Sequence, residues 1–192
     1  MATTVCLVRH GQTDANIDHR LQGREDRPLN ERGIAQARLN AEHLAQERWD
    51  VLATSPTWRA VQTARIIAER LGMPESEILP MREFEAREPG EAYYMTAREI
   101  EERWPDGDVP GAESRESVRE RMKQGLLHLV ERYPGKRIII VSHREGINGL
   151  LWLVSNGEIG TGKTQLGNGS ISTIQHQDGK WEILSHNVRP EE

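Results

Sequence analysis

Short polar stretches rich in arginine and histidine follow three of the apolar runs in the sequence. They are Arg9-His10-Gly11, Thr54-Ser55-Pro56 with Arg59 close behind, and Ser142-His143-Arg144. The guanidinium group of an arginine can bind two phosphate oxygens at once, and it stays charged at physiological pH. A neutral imidazole among such cations has a lowered pKa and an exposed lone pair, which suits it as a nucleophile toward phosphorus. The residue types therefore indicate phosphoryl chemistry that needs no metal ion.

The apolar runs predict strands, and the segments between them predict helices. The expected strands are Val5–Val8, Val51–Ala53, Arg137–Ser142, Ser170–Gln175 and Trp181–Leu184. Apolar residues at helical spacing predict helices over Asn30–Leu44, Ala60–Leu71, Val118–Val130 and through Leu150–Val154. This alternation predicts a single α/β domain, with a largely parallel central sheet flanked by helices. Because ligands bind at the carboxyl ends of such strands, the histidines and arginines should converge there.

Residues 74–117 interrupt the alternation of strand and helix. They are rich in glutamate, arginine and proline. We interpret them as an inserted, partly helical flap within one domain that spans residues 1–192. Substrate specificity should reside in this flap.

Composition argues against several classes of protein. Of 192 residues, 36% are hydrophobic and 29% are charged, and no uncharged apolar run approaches the length of about 18 residues that a membrane span requires. The net charge of −5 argues against a nucleic-acid surface, and the other histidines lack the close spacing of zinc ligands. The single Cys6 cannot form an intrachain disulfide. The start of the chain has no features of a secretion signal, so we expect a cytoplasmic protein.

Four groups of motifs resemble the signatures of the histidine phosphatase superfamily, the phosphoglycerate mutase-like phosphatases. They are Leu7–Thr13 with Asn16, Leu21-Gln22-Gly23 and Pro28-Leu29; Thr54–Ala60 with Gln62-Thr63-Ala64; Ile139–His143; and Asn168–Ser172. Their order along the chain is that of the family, and together they are highly specific. The resemblance implies a phosphoglycerate mutase-like fold.

The resemblance also implies roles for individual residues. It implies that His10 becomes phosphorylated and that His143 stabilises the phosphoryl group during transfer. Arg9 and Arg59 would clamp the phosphoryl oxygens, and such fixed donors stabilise the charge of the transition state. Further contacts would come from Asn16, Gln22 and Gly23. The expected substrate is a small phosphorylated metabolite or a phosphoprotein, with no metal and no cofactor. The sequence does not indicate an oligomeric state.

The acid that protonates the leaving group has several candidates. Counting back from Gly90 by the family spacing reaches Ala86, in which case the acid is absent. The segment that begins at Met81 resembles the family's Leu-x-Glu pattern. This resemblance places the acid at Glu83, which we take as the catalytic candidate. Glu85 lies next to the vacant position and remains an alternative.

Arg144 and Glu145 stand where the family generally has a small glycine after the second histidine. Arg144 could act as a further cation at the phosphate and so bind substrate. Glu145 could serve as a substitute proton donor. A location of both side chains in solvent at a helix start is an equally good interpretation.

The leading functional hypothesis is two-step hydrolysis of phosphomonoesters through a phosphohistidine on His10. A mutase of the same family is the nearest alternative, although family mutases tend to be longer. A pocket that binds a phosphorylated ligand without turnover is a further alternative if the acid is absent at Ala86. Gly157–Thr164 matches the P-loop pattern, but a helix rather than a strand should precede it. We therefore interpret it as a glycine-rich turn and disfavour a P-loop nucleotidase.

Overall fold

The computed structural model describes residues 1–190, in which six strands form one mixed sheet. The strands are β1 (Thr3–Arg9), β2 (Val51–Thr54), β3 (Leu79–Pro80), β4 (Arg137–Ser142), β5 (Ile171–Gln177) and β6 (Lys180–Val188), in the spatial order β3-β2-β4-β1-β5-β6. The pairs β2–β3, β2–β4 and β1–β4 are parallel, whereas β5 runs antiparallel to β1 and to β6. The predicted α/β class with a mostly parallel sheet is therefore confirmed.

Helices cover both faces of this sheet. They are α1 (Asp14–Ile17), α2 (Glu31–Leu44), α3 (Trp58–Leu71), α4 (Ala97–Arg103), α5 (Arg115–Arg132) and α6 (Arg144–Val154), with 3₁₀ turns at Glu75–Glu77, Arg82–Phe84 and Gly90–Ala92. Along β1, Val5 and Leu7 pack in a core with α5 and α6. Cys6 and Val8 pack in a second core with α2 and α3. Burial on both faces explains why the central strands are continuous apolar runs.

The central parallel strands end at the same level of the sheet. Arg9 of β1 pairs with Ser142 of β4, and Thr54 of β2 pairs with Val141 of β4. The ladder continues beyond the strands, where the His10 N–H donates to the Ser142 carbonyl at 3.1 Å. This register brings the polar stretches after the three strands to one edge.

The predicted helices coincide with α2, α3, α5 and the end of α6, although α3 and α5 begin two and three residues earlier than predicted. Asn30 caps α2 by accepting from the Gly33 N–H, and Gly72 ends α3 in the left-handed conformation with φ 68°. The last strand, β6, is longer than the predicted Trp181–Leu184. Exposed side chains alternate with half-buried ones along it, so the strand is not a continuous apolar run and its full length was not predicted. Within residues 1–190, no helix is long and apolar enough to cross a membrane.

The segment 74–117 holds short elements rather than one helical unit. Its strand β3 pairs in parallel with β2 and extends the sheet by a two-residue edge strand that the sequence did not indicate. Three 3₁₀ turns and α4 make up most of its regular structure. A function of this segment as a flap stays a prediction.

Candidate active site

His10 lies directly after β1, with 3% of its surface exposed. Its Nδ1 lies 2.7 Å from the Gly11 carbonyl oxygen, which can only accept. Nδ1 therefore carries the proton, and Nε2 keeps a lone pair. Burial lowers the pKa of His10 well below its usual range, and the charges of Arg59 and Arg9 lower it further. The ring is thus neutral at ordinary pH and has one nucleophilic nitrogen.

The loop that carries His10 is fixed by its backbone. The Gly169 N–H donates to the His10 carbonyl at 3.2 Å, and Nδ2 of Asn168 donates to the same oxygen at 3.3 Å. A Cβ on Gly11 would lie 2.2 Å from the Gly33 carbonyl oxygen, so glycine is required where the loop crosses the start of α2. Asn168 and Gly169, from the last of the four sequence motifs, therefore hold the first motif, which contains His10, in place.

His143 follows β4, and its ring centroid lies 5.1 Å from that of His10. Nη2 of Arg59 lies 3.3 Å from its Nδ1, and because an arginine can only donate, Nδ1 must accept. The proton is then on Nε2, which lies 2.8 Å from Ser55 Oγ and 3.0 Å from Thr57 Oγ1. Burial first, and then the charge of Arg59, lower the pKa of His143 well below its usual range.

Arg59 lies in the first turn of α3 and is 2% exposed. Its Nε donates to Nε2 of His10 at 3.3 Å. Its other nitrogens donate to backbone carbonyls, Nη2 to Gly23 at 2.6 Å and Nη1 to Glu25 at 2.9 Å. Burial lowers the pKa of Arg59 to about 10, so it remains a cation at neutral pH.

Arg9, the last residue of β1, contributes a second buried guanidinium. Its Nη1 donates to the Leu166 carbonyl, whereas its Nε is buried and has no hydrogen-bond partner among residues 1–190. Burial lowers the pKa of Arg9 to about 9, with further contributions from the charges of Arg144 and Arg59. A buried cationic donor without a partner is costly. An anion at this place would satisfy it.

Three of the predicted substrate contacts follow His10 in the chain, with Asn16 in α1 and with Gln22 and Gly23 in the loop after that helix. Asn16 uses its Oδ1 to accept from the Thr13 N–H and from Nδ2 of Asn168, both at 3.0 Å. Gln22 accepts from the Thr13 hydroxyl at 2.7 Å. Gly23 has a φ of 51°, and a Cβ there would lie 2.5 Å from Pro89. The amide nitrogen of Asn16 is therefore the end that it can offer to a ligand.

Glu83 lies in the 3₁₀ turn Arg82–Phe84, at the same edge of the sheet as the histidines. The Ser142 hydroxyl donates to the Phe84 carbonyl at 2.8 Å, which attaches this turn to the residue before His143. Within residues 1–190, the Glu83 carboxylate forms neither an ion pair nor a hydrogen bond. Its Cβ lies against α5, 2.7 Å from the position that a Cβ on Gly125 would take, and the side chain lines a cavity with His128 and Arg132 of α5. A role of Glu83 in proton transfer stays a prediction.

The other acid candidates are engaged in ion pairs. The partners are Arg24 for Glu85, at 3.3 Å, and both Arg87 and Arg115 for Glu145, at 3.5 and 3.3 Å. Ala86 is the position reached by counting back from Gly90, and it is 7% exposed and has no group that could donate a proton. Of the three glutamates considered, Glu83 is the one without an ion pair among residues 1–190, and its assignment as the acid stays a prediction.

Arg121 of α5 holds this segment in place and was not singled out from the sequence. Its Nη1 donates to the carbonyls of Glu83 and Glu85, both at 2.8 Å. Its Nη2 donates to the Ala86 carbonyl at 3.2 Å, and its Nε lies 2.7 Å from Glu113. In the sequence it is one of many arginines on a polar helix face, so no signal marks it.

Arg144 is the first residue of α6 and is exposed, but its charge contributes to the lowered pKa of Arg9. Its backbone lies beside the cluster, because it directly follows His143. The glycine-rich turn 157–164 follows the end of α6 at Val154, and an irregular segment connects it to β5. This context is that of a turn and not of a nucleotide-binding loop, as the sequence analysis predicted.

Comparison with known proteins gives consistent results. Residues 5–189 match the family model described as histidine phosphatase superfamily (branch 1). The chain is 39% identical over 186 residues to the uncharacterized phosphatase PhoE of Bacillus subtilis, covering 97% of this chain and 95% of the relative. It is 32% identical over 186 residues to the probable phosphoglycerate mutase GpmB of Cronobacter sakazakii, covering 92% and 86%. Its fold is similar to the solved structure of YhfR from Bacillus stearothermophilus, with a TM-score of 0.90 at 22% identity over 98% of this chain and 100% of that chain.

Proposed function

The chain belongs to the histidine phosphatase superfamily (branch 1), and we propose that it is a metal-independent phosphomonoesterase whose nucleophile is Nε2 of His10. The proposal is supported above all by the position of Arg59, whose Nε lies 3.3 Å from that nitrogen. Because an arginine can only donate, this contact requires a lone pair on Nε2, and this lone pair would attack phosphorus. A phosphoryl group that enters would take over the donors of Arg59 through its oxygens.

The reaction has two steps. In the first, Nε2 of His10 attacks phosphorus, the bond to the ester oxygen breaks, and this oxygen leaves with the electron pair and takes a proton from Glu83. In the second, a water molecule attacks the phosphohistidine while Glu83 takes one of its protons, and the P–N bond breaks. Inorganic phosphate is released, and both side chains return to their starting protonation states.

The surrounding cations would stabilise the charge on the transferred group. Arg9 offers its unpartnered Nε, and Arg59 offers a fork that is held by backbone carbonyls. An incoming phosphate favours the protonated form of His143, because an adjacent anion raises the pKa of an imidazole. Nδ1 of His143 would then donate to a phosphoryl oxygen instead of accepting from Arg59. Donors fixed in this way stabilise the transition state with little reorganisation.

Hydrolysis is favoured over isomerisation, and a small substrate over a protein. The identity to the phosphatase from Bacillus subtilis is 39% over nearly the full length of both chains, against 32% to the probable mutase. The nucleophile and its arginine are only 3% and 2% exposed. A small phosphorylated metabolite can enter such a recess more easily than a folded phosphoprotein can.

Trapping the phosphoenzyme tests this proposal. After rapid mixing with p-nitrophenyl phosphate and a quench in base, peptide mass spectrometry should find the phosphoryl group on His10. His10→Ala should abolish the phosphoenzyme and lower kcat/KM at least about 10³-fold. His186→Ala, at an exposed histidine of β6, is the control and should change neither. Full turnover by His10→Ala, or an isomer rather than free phosphate as the main product from 3-phosphoglycerate, would overturn the proposal.

A further inference from the structure

A cavity with a volume of about 440 Å³ is lined in part by residues that neighbour the histidine and arginine cluster in the chain. We propose that this cavity binds a carboxylate of the substrate, so that the enzyme prefers phosphorylated carboxylic acids to other phosphomonoesters. The proposal rests on the phosphatase function proposed above and names the class of substrate for that site.

Cations dominate the walls of the cavity. Arg87, Arg115, Arg144 and Lys163 line it, against the single carboxylate of Glu145. The whole chain has 25 lysines and arginines against 30 aspartates and glutamates. The cavity is therefore opposite in sign to the average of the protein. A concave site of one sign concentrates ligands of the other sign, here anions.

Glu145 engages two of these cations and leaves two without an acidic partner. Its Oε1 lies 3.5 Å from Nη1 of Arg87 and 3.3 Å from Nε of Arg115. In the part of the chain that the structure describes, Arg144 and Lys163 form no ion pair. Two unpaired cations over one cavity match the two oxygens of one carboxylate, which supports a ligand with a single additional negative group.

The cavity lies next to the phosphoryl site along the chain and in space. Arg144 directly follows His143, which is the N-cap residue of α6. Gln165, which also lines the cavity, precedes Leu166, whose carbonyl accepts from Arg9. A phosphomonoester held by the catalytic cluster can therefore extend toward the cavity.

The glycine-rich turn 157–164 places Lys163 at the rim of this cavity. Nδ2 of Asn148, in α6, donates to the Thr164 carbonyl at 3.0 Å. Gly160 has a φ of 102°, and a Cβ there would lie 2.2 Å from the Asn148 carbonyl oxygen. Only glycine lets the turn lie so close to α6. The turn thus packs directly on the helix that begins with Arg144, so both unpaired cations belong to adjoining elements.

Matched substrates that differ in one carboxylate test the inference. A short pair is 3-phosphoglycerate and glycerol 3-phosphate, and a longer pair is 6-phosphogluconate and glucose 6-phosphate. In at least one pair, we expect wild-type kcat/KM to be about tenfold higher for the substrate that carries the carboxylate than for its partner without it. This preference should decline as the ionic strength rises, because the cations are partly exposed.

Variants connect the preference to the cavity. Lys163→Gln and Arg144→Gln should each move the ratio of kcat/KM within that pair toward one. Lys180→Gln, at an exposed lysine of β6, is the matched control and should leave the ratio at its wild-type value. A wild-type protein that hydrolyses p-nitrophenyl phosphate but shows no preference in either pair would overturn this inference alone, as would a preference that survives both substitutions. A wild-type protein that does not hydrolyse p-nitrophenyl phosphate would overturn the phosphatase proposal itself.

Discussion

Nε of Arg59 lies 3.3 Å from Nε2 of His10, and Nη2 of the same guanidinium lies 3.3 Å from Nδ1 of His143. One side chain therefore spans both imidazoles, whose centroids are 5.1 Å apart. Each contact requires an unprotonated nitrogen, because an arginine can only donate. Arg59 thus acts together with burial to keep both rings neutral, and it selects which nitrogen of each ring holds the lone pair.

Arg59→Gln should raise the pKa of His10 and slow turnover. Burial contributes most to the lowered pKa of His10 and the Arg59 charge comes next, so removal of this charge moves the pKa back toward its ordinary value of 6.5. As the pH falls below that value, the wild-type ring should stay neutral, whereas the variant ring should gain a proton and lose its nucleophilic lone pair. Loss of the phosphate clamp should also lower kcat/KM by about 10²–10³-fold.

Imidazole ¹⁵N NMR over a pH series measures this shift directly, and the rate is measured with p-nitrophenyl phosphate. Arg65→Gln is a suitable control, because Arg65 lies in the same helix but is exposed and pairs with Glu75. An identical His10 titration in wild type and Arg59→Gln would show that the arginine does not set the charge state of the nucleophile.

Ser55 and Thr57 should act redundantly in orienting His143. Both hydroxyls lie within 3.0 Å of its Nε2, so either one can accept the proton of that nitrogen. Ser55→Ala or Thr57→Val alone should lower kcat no more than about twofold, because one acceptor remains. The double variant leaves a buried N–H without a partner and should lose about 10- to 100-fold. A double-mutant cycle on kcat measures this, and strictly additive effects would contradict the shared role.

The convergence of the two histidines could be predicted from the sequence, but the contact between His143 and Thr57 could not. Apolar runs followed by helices identify parallel strands, and their carboxyl ends must meet at one edge. Thr57 also precedes α3 as its N-cap, where a threonine usually bonds the helix backbone. Here it makes no such bond, and its hydroxyl contacts a residue 86 positions away. Pairings of this kind depend on the packing of the loops.

The path of residues 81–92 could not be predicted from the sequence for a different reason. The segment forms short 3₁₀ turns, which have neither the periodicity of a helix nor the alternation of a strand. Its position is fixed mainly by Arg121, which bonds carbonyls 35 to 38 positions away in the chain. A carbonyl partner leaves no trace in residue type. The location of Glu83 therefore required the structure.

Glu113→Gln should destabilise the protein at neutral pH and less so in acid. Burial by itself would raise the pKa of Glu113, but the hydrogen bonds and charge of Arg121 outweigh it and hold the pKa at about 2. Because the folded pKa lies below the unfolded value, the stabilisation is complete above about pH 4.5 and is lost as the pH falls toward 2. Loss of the charged partner should cost about 1–3 kcal/mol at pH 7.

Thermal unfolding of wild type and Glu113→Gln between pH 7 and pH 2 measures this difference. The gap between the two melting temperatures should narrow below about pH 4.5 and close near pH 2. Glu116→Gln serves as the control, since this carboxylate is 77% exposed and pairs only with Arg119 at 2.7 Å. A gap that stays constant down to pH 2 would show that the carboxylate contributes by packing rather than by its charge.

Glu83→Gln should slow alkyl phosphates far more than aryl phosphates. An alkoxide needs a proton to depart, and a general acid typically contributes about 10²–10⁴-fold to such a step. A nitrophenolate departs without one, so kcat/KM for p-nitrophenyl phosphate should fall less than about tenfold. Rates over a series of substituted phenyl and alkyl phosphates should therefore depend weakly on leaving-group pKa in wild type and steeply in the variant.

Matched variants identify the acid, because the carboxylates near the site differ in their bonding. Glu85 pairs with Arg24 at 3.3 Å, and Glu145 pairs with Arg115 at 3.3 Å. The variants Glu85→Gln and Glu145→Gln should therefore leave the slope of the series unchanged. A steeper series in either of these variants would transfer the role to that residue. A shallow series that none of the three substitutions alters would mean that the proton comes from another donor, and the assignment of Glu83 would be wrong. A steep series already in wild type would mean that no acid acts, and that the enzyme serves substrates whose leaving groups depart unaided.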